Sequence, residues 1–256
     1  MDSTIVTYHL GNLSEHAKVK EIVPYFDKWA VICDITAMHP VDHKWPDQPA
    51  DRGWLVFEQN VVPVIQCIVA AAQNGSSTLF FDCDIPVGRG KDGWRYYVAH
   101  IVERLSGIYI GADIRIDVEA EFRYEVSAGH TGCHLAALAL NSVLSKFWKK
   151  GADIDGLGNP DFDQTAIQVS KIAENQSFDK YRVGKTLKKR GFRNSEFWEF
   201  FPELQFCINK QLASWATLVS EVWVTPKLAY LSTERRWNCE IFGELLQMGT
   251  SINAAA

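Results

Sequence analysis

Up to about residue 105 the apolar residues come in short β-prone runs. Trp29-Ala-Val-Ile-Cys33, Thr78-Leu-Phe-Phe81 and Arg95-Tyr-Tyr-Val-Ala-His100 are each bounded by Gly, Asp, Asn or Pro. Asp92-Gly93 is a tight-turn pair ahead of the last run. Many short strands with this punctuation predict a small β-barrel or sandwich. Between them, the segment from His39 to Gly53 carries three prolines and three aspartates and predicts a structured loop. A composition shift over 107–117 reads as a strand or linker leading to a helix. From Leu135 onward helix formers dominate, and Leu140, Val143, Leu144 and Phe147 fall at i, i+3, i+4 and i+7, as a core-facing stripe does. Residues 151–163 are rich in Gly and Asp and read as a loop. Leu204, Ile208, Leu212 and Trp215 predict a second amphipathic helix from Pro202 to about Val219. Glu221-Val-Trp-Val-Thr225 reads as a strand ended by Pro226, and the stretch 231–242 as a return to the same sheet.

The helix after Leu135 is preceded by Ser127-Ala-Gly-His-Thr-Gly-Cys-His134. If it reaches back to His130, then His130 and His134 stand one turn apart on one face, where two imidazole nitrogens can converge on a metal ion. Thr131, Gly132 and Cys133 between them are small and leave space beside the rings. Asn141, eleven residues after His130, falls on the same face. It can orient a ligand there or simply sit at the rim of a buried face.

Composition changes this picture little. The 256 residues are 47% hydrophobic and 22% charged, which suits a globular chain of two domains. The expected division is 1–106 and 107–256. The formal net charge is −5, so any nucleic-acid contact has to come from a local patch. One such patch exists: Lys180, Arg182, Lys185, Lys188, Lys189, Arg190 and Arg193 lie in a single stretch, with Tyr181 and Phe192 interleaved. Its alternative reading is a solvated helix face stopped at Gly191. The six scattered cysteines include no C-x-x-C pair, as reduced thiols would not. No basic and apolar leader precedes the first strand, and the longest apolar run, Val61 to Ala72, is too short to span a bilayer, so a cytoplasmic protein without a membrane partner is expected.

Two motif regions carry a family resemblance. Asp34-Ile-Thr36, Pro40 and Gln48-Pro-Ala-Asp-Arg-Gly53 are similar to the D-x-T…P…Q-P-x-D-x-G signature of freestanding alanyl-tRNA editing proteins of the AlaX type, and His130-Thr-Gly-Cys-His134 resembles their H-x-x-x-H motif. The resemblance implies an α+β fold: a small N-terminal β-barrel domain, then an α/β editing domain with an antiparallel sheet packed on helices. It implies Zn2+ as cofactor, the acceptor end of a misacylated tRNA as partner, and hydrolysis of the ester of Ser-tRNA(Ala) or Gly-tRNA(Ala). His130 and His134 become metal ligands, and Thr36, Gln48 and Thr131 become the residues around the reacting ester, with Thr36 reading the serine hydroxyl. The chain departs from the family in two places. Trp45-Pro-Asp47 replaces a glycine-rich run, and no C-x-x-x-H follows Gly249-Thr-Ser-Ile252, since no histidine lies beyond His134. Cys239 is then the candidate third ligand, its other reading being a structural cysteine of a strand. A catalytically disabled tRNA-binding relative is the alternative, and a hydrolase using Cys133 as nucleophile is a third reading.

Overall fold

A computed structural model of the chain describes residues 2–42, 44–149, 151–216, 223–224, 229–230 and 239–240. The fold is mixed α and β, with a large antiparallel sheet and several helices. The chain divides into two compact units, Met1–Tyr124 with Val224–Asn238, and Glu125–Trp223 with Cys239–Ala256.

The first unit contains β1 (Ile5–Val6), β2 (Ser14–Tyr25), β3 (Lys28–Cys33), β4 (Ile35–Thr36), β5 (Gly53–Phe57), β6 (Asn60–Val64), β7 (Gln66–Gln73), β8 (Phe80–Phe81), β9 (Trp94–Val102) and β10 (Asp113–Val118). Eight of these pair in the order β6-β5-β10-β2-β3-β9-β7-β8. The expected closed barrel is not what forms, because this order has two ends. The sheet bends instead: β6 runs through Ile65 directly into β7, at the far side of the order, and the Ile65 N–H donates to Ile101 O at 2.8 Å.

The three adjacent strands β3, β9 and β7 are buried on both faces. Val31, Cys33, Val69, Val98 and Tyr96 belong to one apolar cluster, with Leu55 and Ile116. Their alternates Ala30, Ile32, Ile68, Ala70, Ala99 and Ile101 form another. Two-sided burial is why these strands read as continuous apolar runs and not as alternation. By contrast β2, twelve residues long, mixes charged and apolar positions and is not legible as one strand.

A histidine sits in this core. His100 is fully buried on β9; its Nδ1 lies 3.0 Å from Val31 O and its Nε2 2.9 Å from Thr36 Oγ1. A carbonyl only accepts, so Nδ1 carries the proton, the Thr36 hydroxyl donates to Nε2, and Thr36 Oγ1 accepts the Met38 N–H at 3.1 Å. Burial lowers the pKa of His100 to about 4, keeping the ring neutral.

Helix α1 (Ala120–Leu144) begins fifteen residues before the predicted start at Leu135, so Ser127–Gly132 lies inside the helix and not ahead of it. Good helix formers over 119–126 and the Arg123 side chain account for the extension. Arg123 makes a bidentate pair with Asp51, with Nε to Oδ1 at 2.6 Å, and also donates to Ala37 O at 2.8 Å.

The second unit holds the rest of α1, then α2 (Phe162–Ala166), β11 (Ile167–Ala173), β12 (Gln176–Tyr181), α3 (Lys185–Lys189) and α4 (Asn194–Ala216). Helix α4 starts eight residues earlier than predicted and carries Pro202 within it. Its Phe197, Phe200, Leu204 and Ile208 pack against Leu140, Leu144, Phe147 and Phe192, and that burial outweighs the hydrogen bond a proline removes. Strands β11 and β12 form an antiparallel hairpin that seats on α1 at Gly129: a Cβ there would strike Ala173 O and come within 2.7 Å of Gln176 O. Asn175 at the turn donates to Glu125 O at 2.8 Å and to Glu125 Oε1 at 3.2 Å. Trp223–Val224 pairs with Cys239–Glu240 as the alternating C-terminal pattern suggests.

Two outcomes follow from this packing. The pKa of His100 is depressed, so the unfolded chain binds a proton that the folded chain refuses between pH 6.5 and about 4. Stability is therefore full above pH 6.5 and declines as pH falls through that window, by roughly 3 kcal/mol in total. Urea unfolding across pH 4 to 7, compared with His100→Gln, measures it. Gly129→Ala is expected to destabilise the second unit by about 2 kcal/mol, because backbone oxygens cannot move aside as a side chain can.

Candidate metal centre and basic surface

The two histidines of the H-x-x-x-H motif do meet. His130 and His134, one turn apart on α1, bring their Nε2 atoms to 2.8 Å with ring centroids 4.7 Å apart. Burial, and then the neighbouring His134, lower the pKa of His130 to about 4. A ring kept neutral offers a lone pair, which is what a metal ligand needs. Two nitrogens at about 2.0 Å from one tetrahedral zinc lie roughly 3.3 Å apart. The pair thus fits two positions of a zinc shell with a small opening of the rings. Among the described residues no group of three or more His, Cys, Asp or Glu could hold an ion. The side chain of Cys239, the expected third ligand, lies outside the described residues, as does the segment around Gly249.

Thr131, between the two histidines, is half-buried on the same helix. Thr36 belongs to the first unit, is fully buried, and has its hydroxyl engaged with both His100 and the Met38 N–H. Gln48 is half-buried in the loop between β4 and β5. That loop is held by Asp51, which accepts the His39 N–H and the Arg123 guanidinium.

Cys133 faces the hairpin. Its thiol donates to Asp179 Oδ2 at 3.4 Å and lies 3.9 Å from Ser170 Oγ, these being cross-strand partners on the inner face of β11 and β12. Burial, reinforced by the Asp179 carboxylate, pushes its pKa up to about 12. A thiol so held is a poor nucleophile, and its near contacts are an acid and a hydroxyl. These contacts count against the reading of Cys133 as a nucleophile.

Asn141 is buried and organises the loop that follows α1. Its Nδ2 donates to Asp155 Oδ2 and Asp161 Oδ1, both at 3.1 Å, and its Oδ1 accepts the Asp163 N–H at 2.9 Å. Asp161 in turn caps α2 through the Gln164 N–H. Tyr181 donates to Asp163 Oδ1 at 2.7 Å, and burial raises both its pKa and that of Asp163. No sequence signal marked this network, because its members are spread over 141–181.

The basic stretch is not one helix face. Lys180 is the penultimate residue of β12, Arg182 follows that strand, Lys185, Lys188 and Lys189 lie on α3, and Arg190 caps that helix; all six are exposed. Arg193 differs: it pairs with Glu196 at 2.6 Å and donates to Lys146 O at 2.6 Å, which makes it a structural tie. The interleaved aromatics expected from sequence, Tyr181 and Phe192, pack inward. Phe192 is 2% exposed, whereas Phe178, 62% exposed, is the aromatic that reaches solvent beside the lysines.

Among the described residues no helix is long and apolar enough to cross a membrane. No protein-family model matches the chain, and no curated protein matches it.

The state of Cys133 is open to direct test by labelling the native protein with a thiol-specific disulfide reagent at pH 7 and mapping the modified peptides. Exposed Cys83 should react fast and Cys133 only after unfolding. Rapid native labelling of Cys133 would restore it as a nucleophile.

Proposed function

We propose that this chain is a zinc-dependent trans-editing hydrolase that removes serine or glycine wrongly esterified to tRNA(Ala), a freestanding relative of the AlaX type. The observation that carries the reading is the convergence of His130 and His134 Nε2 atoms at 2.8 Å on one helix, with His130 held neutral. The Asp34-Ile-Thr36 and Gln48-Pro-Ala-Asp-Arg-Gly53 motifs, in the order and spacing of the family's barrel domain, support it independently.

His130 and His134 hold the metal, which when bound supplies Lewis-acid activation of the ester and of water. In the overall reaction water's oxygen bonds to the acyl carbon, the bond from that carbon to the ribose 3′ oxygen breaks, and the proton ends on the ribose hydroxyl. The chain's own residues bind and orient. Lys180, Arg182 and the α3 lysines neutralise acceptor-stem phosphates. Thr131 stands between the two ligands. Thr36, whose own hydroxyl bonds His100 and the Met38 N–H, and Gln48 of the same motif region are the groups that the resemblance assigns to the serine hydroxyl. A site built to hydrogen-bond that hydroxyl leaves a polar group unpaired with alanine, and so spares the correct product.

A second reading is favoured by one observation: among the described residues no third ligand joins the histidines. On that reading the chain binds tRNA without cleaving the ester. The two separate cleanly by experiment. Zinc content by elemental analysis and deacylation of Ser-tRNA(Ala) are measured on the wild type, His130→Ala and His134→Ala. Each substitution should take zinc from about one per chain toward none and abolish deacylation in step. Wild-type protein that binds tRNA yet holds no zinc and turns nothing over establishes the binding-only reading. Activity lost with zinc unchanged sinks the ligand assignment.

A further inference from the structure

The β11–β12 hairpin has two chemically distinct faces. On the inner one Ser170 opposes Asp179 and Ile172 opposes Ser177, and these side chains meet α1 around Cys133. On the outer one Lys171 opposes Phe178 and Val169 opposes Lys180, with Gln176 at the turn end and Arg182 two residues beyond Lys180. Lys171, Phe178, Lys180 and Arg182 are all exposed, and Phe178 keeps 62% of its surface in solvent. The only carboxylate in either strand is Asp179, and it points inward. None of the three cations forms an ion pair with a carboxylate of the described residues.

An aromatic ring standing free in a ring of cations, with no acid on its face, matches a strand of phosphates carrying unstacked bases. Bases stack on aromatic planes whatever their identity, and lysines and arginines neutralise the backbone on either side. A protein partner would bury Phe178 without needing three cations around it. We propose that the outer face of this hairpin is a stacking platform for the single-stranded 3′ end of an RNA, with Phe178 under a base and Lys171, Lys180 and Arg182 on the flanking phosphates. The proposal deepens the RNA reading above and rests on it. Composition did not reveal this surface, since Lys171 and Phe178 both lie ahead of the basic stretch. The same hairpin is seated on α1 at Gly129, next to His130, so the element that grips the RNA end is the one packed against the helix of the histidines.

The test uses the full chain and a stem-loop RNA with a short single-stranded 3′ tail, its terminal base replaced by 2-aminopurine, beside the same stem-loop without the tail. Affinity is read by anisotropy and stacking by quenching of 2-aminopurine emission. Wild type should bind the tailed RNA more tightly and quench it. Phe178→Ala should lose about tenfold in affinity for the tailed RNA, and the quenching, with no change for the tail-less one, while Phe178→Trp keeps both. Lys171→Gln with Lys180→Gln should lower the slope of log affinity against log salt by about 1.4. Phe178 lies on the surface, so a far-UV spectrum equal to wild type is expected for each variant. Phe178→Ala binding the tailed RNA as tightly as wild type, or weakening tailed RNA, tail-less RNA and the base-free polyanion heparin alike, overturns the platform and leaves the RNA reading standing. Wild type that binds neither RNA overturns both.

Discussion

The buried pair of Arg123 and Asp51 fixes where the longest helix starts. Both side chains are withdrawn from water, and further hydrogen bonds support the pair: Asp51 also takes the His39 N–H, and Arg123 also reaches Ala37 O. Removing one partner would leave a charge buried and unpaired, a loss of about 3–5 kcal/mol. The pair therefore ties the irregular segment 37–52 to the first turns of α1. Without it that segment, with its three prolines, has no regular hydrogen bonding to define it.

Further along α1 the controlling contact is of the opposite kind. At Gly129 nothing attracts; what matters is that no side chain is present. The absent Cβ lets the backbone of the β11–β12 turn lie against the helix, and Asn175 and Asp179 then pin the hairpin at two points on either side of His130. A glycine inside a helix costs about 1 kcal/mol relative to alanine. Here that loss is offset by close packing of a hairpin that could not otherwise approach. Around Cys133 the hairpin presents the polar residues Ser170, Ser177 and Asp179, and the thiol is held protonated. What looked like a reactive cysteine between two histidines is a hydrogen-bond donor joining helix to hairpin.

The H-x-x-x-H pair and the basic stretch were legible in the sequence because each depends on local spacing. Residues four apart on a helix share a face whatever surrounds it, and seven cations within fourteen positions are basic in any fold. The strands β3 and β9, the loop from His39 to Gly53 and the turn at Gly93 were legible for the same reason. The start of α1 was not, because its cause is a salt bridge to a residue seventy-two positions away. The extent of α4 was not either, since Pro202 forbids what its buried aromatics impose.

By itself, then, the sequence determined which residues could act together when they lie within one turn or one run: His130 with His134, and the lysines of 180–190 with one another. Only the tertiary structure decided which way the aromatics of that run point, sending Phe192 inward and leaving Phe178 out. It also decided that Thr36 serves His100, that Asn141 holds a loop, and that the strands form a bent sheet with two ends. Each of these depends on partners tens of residues away, and strand pairing and burial, which no local period encodes, bring those partners together.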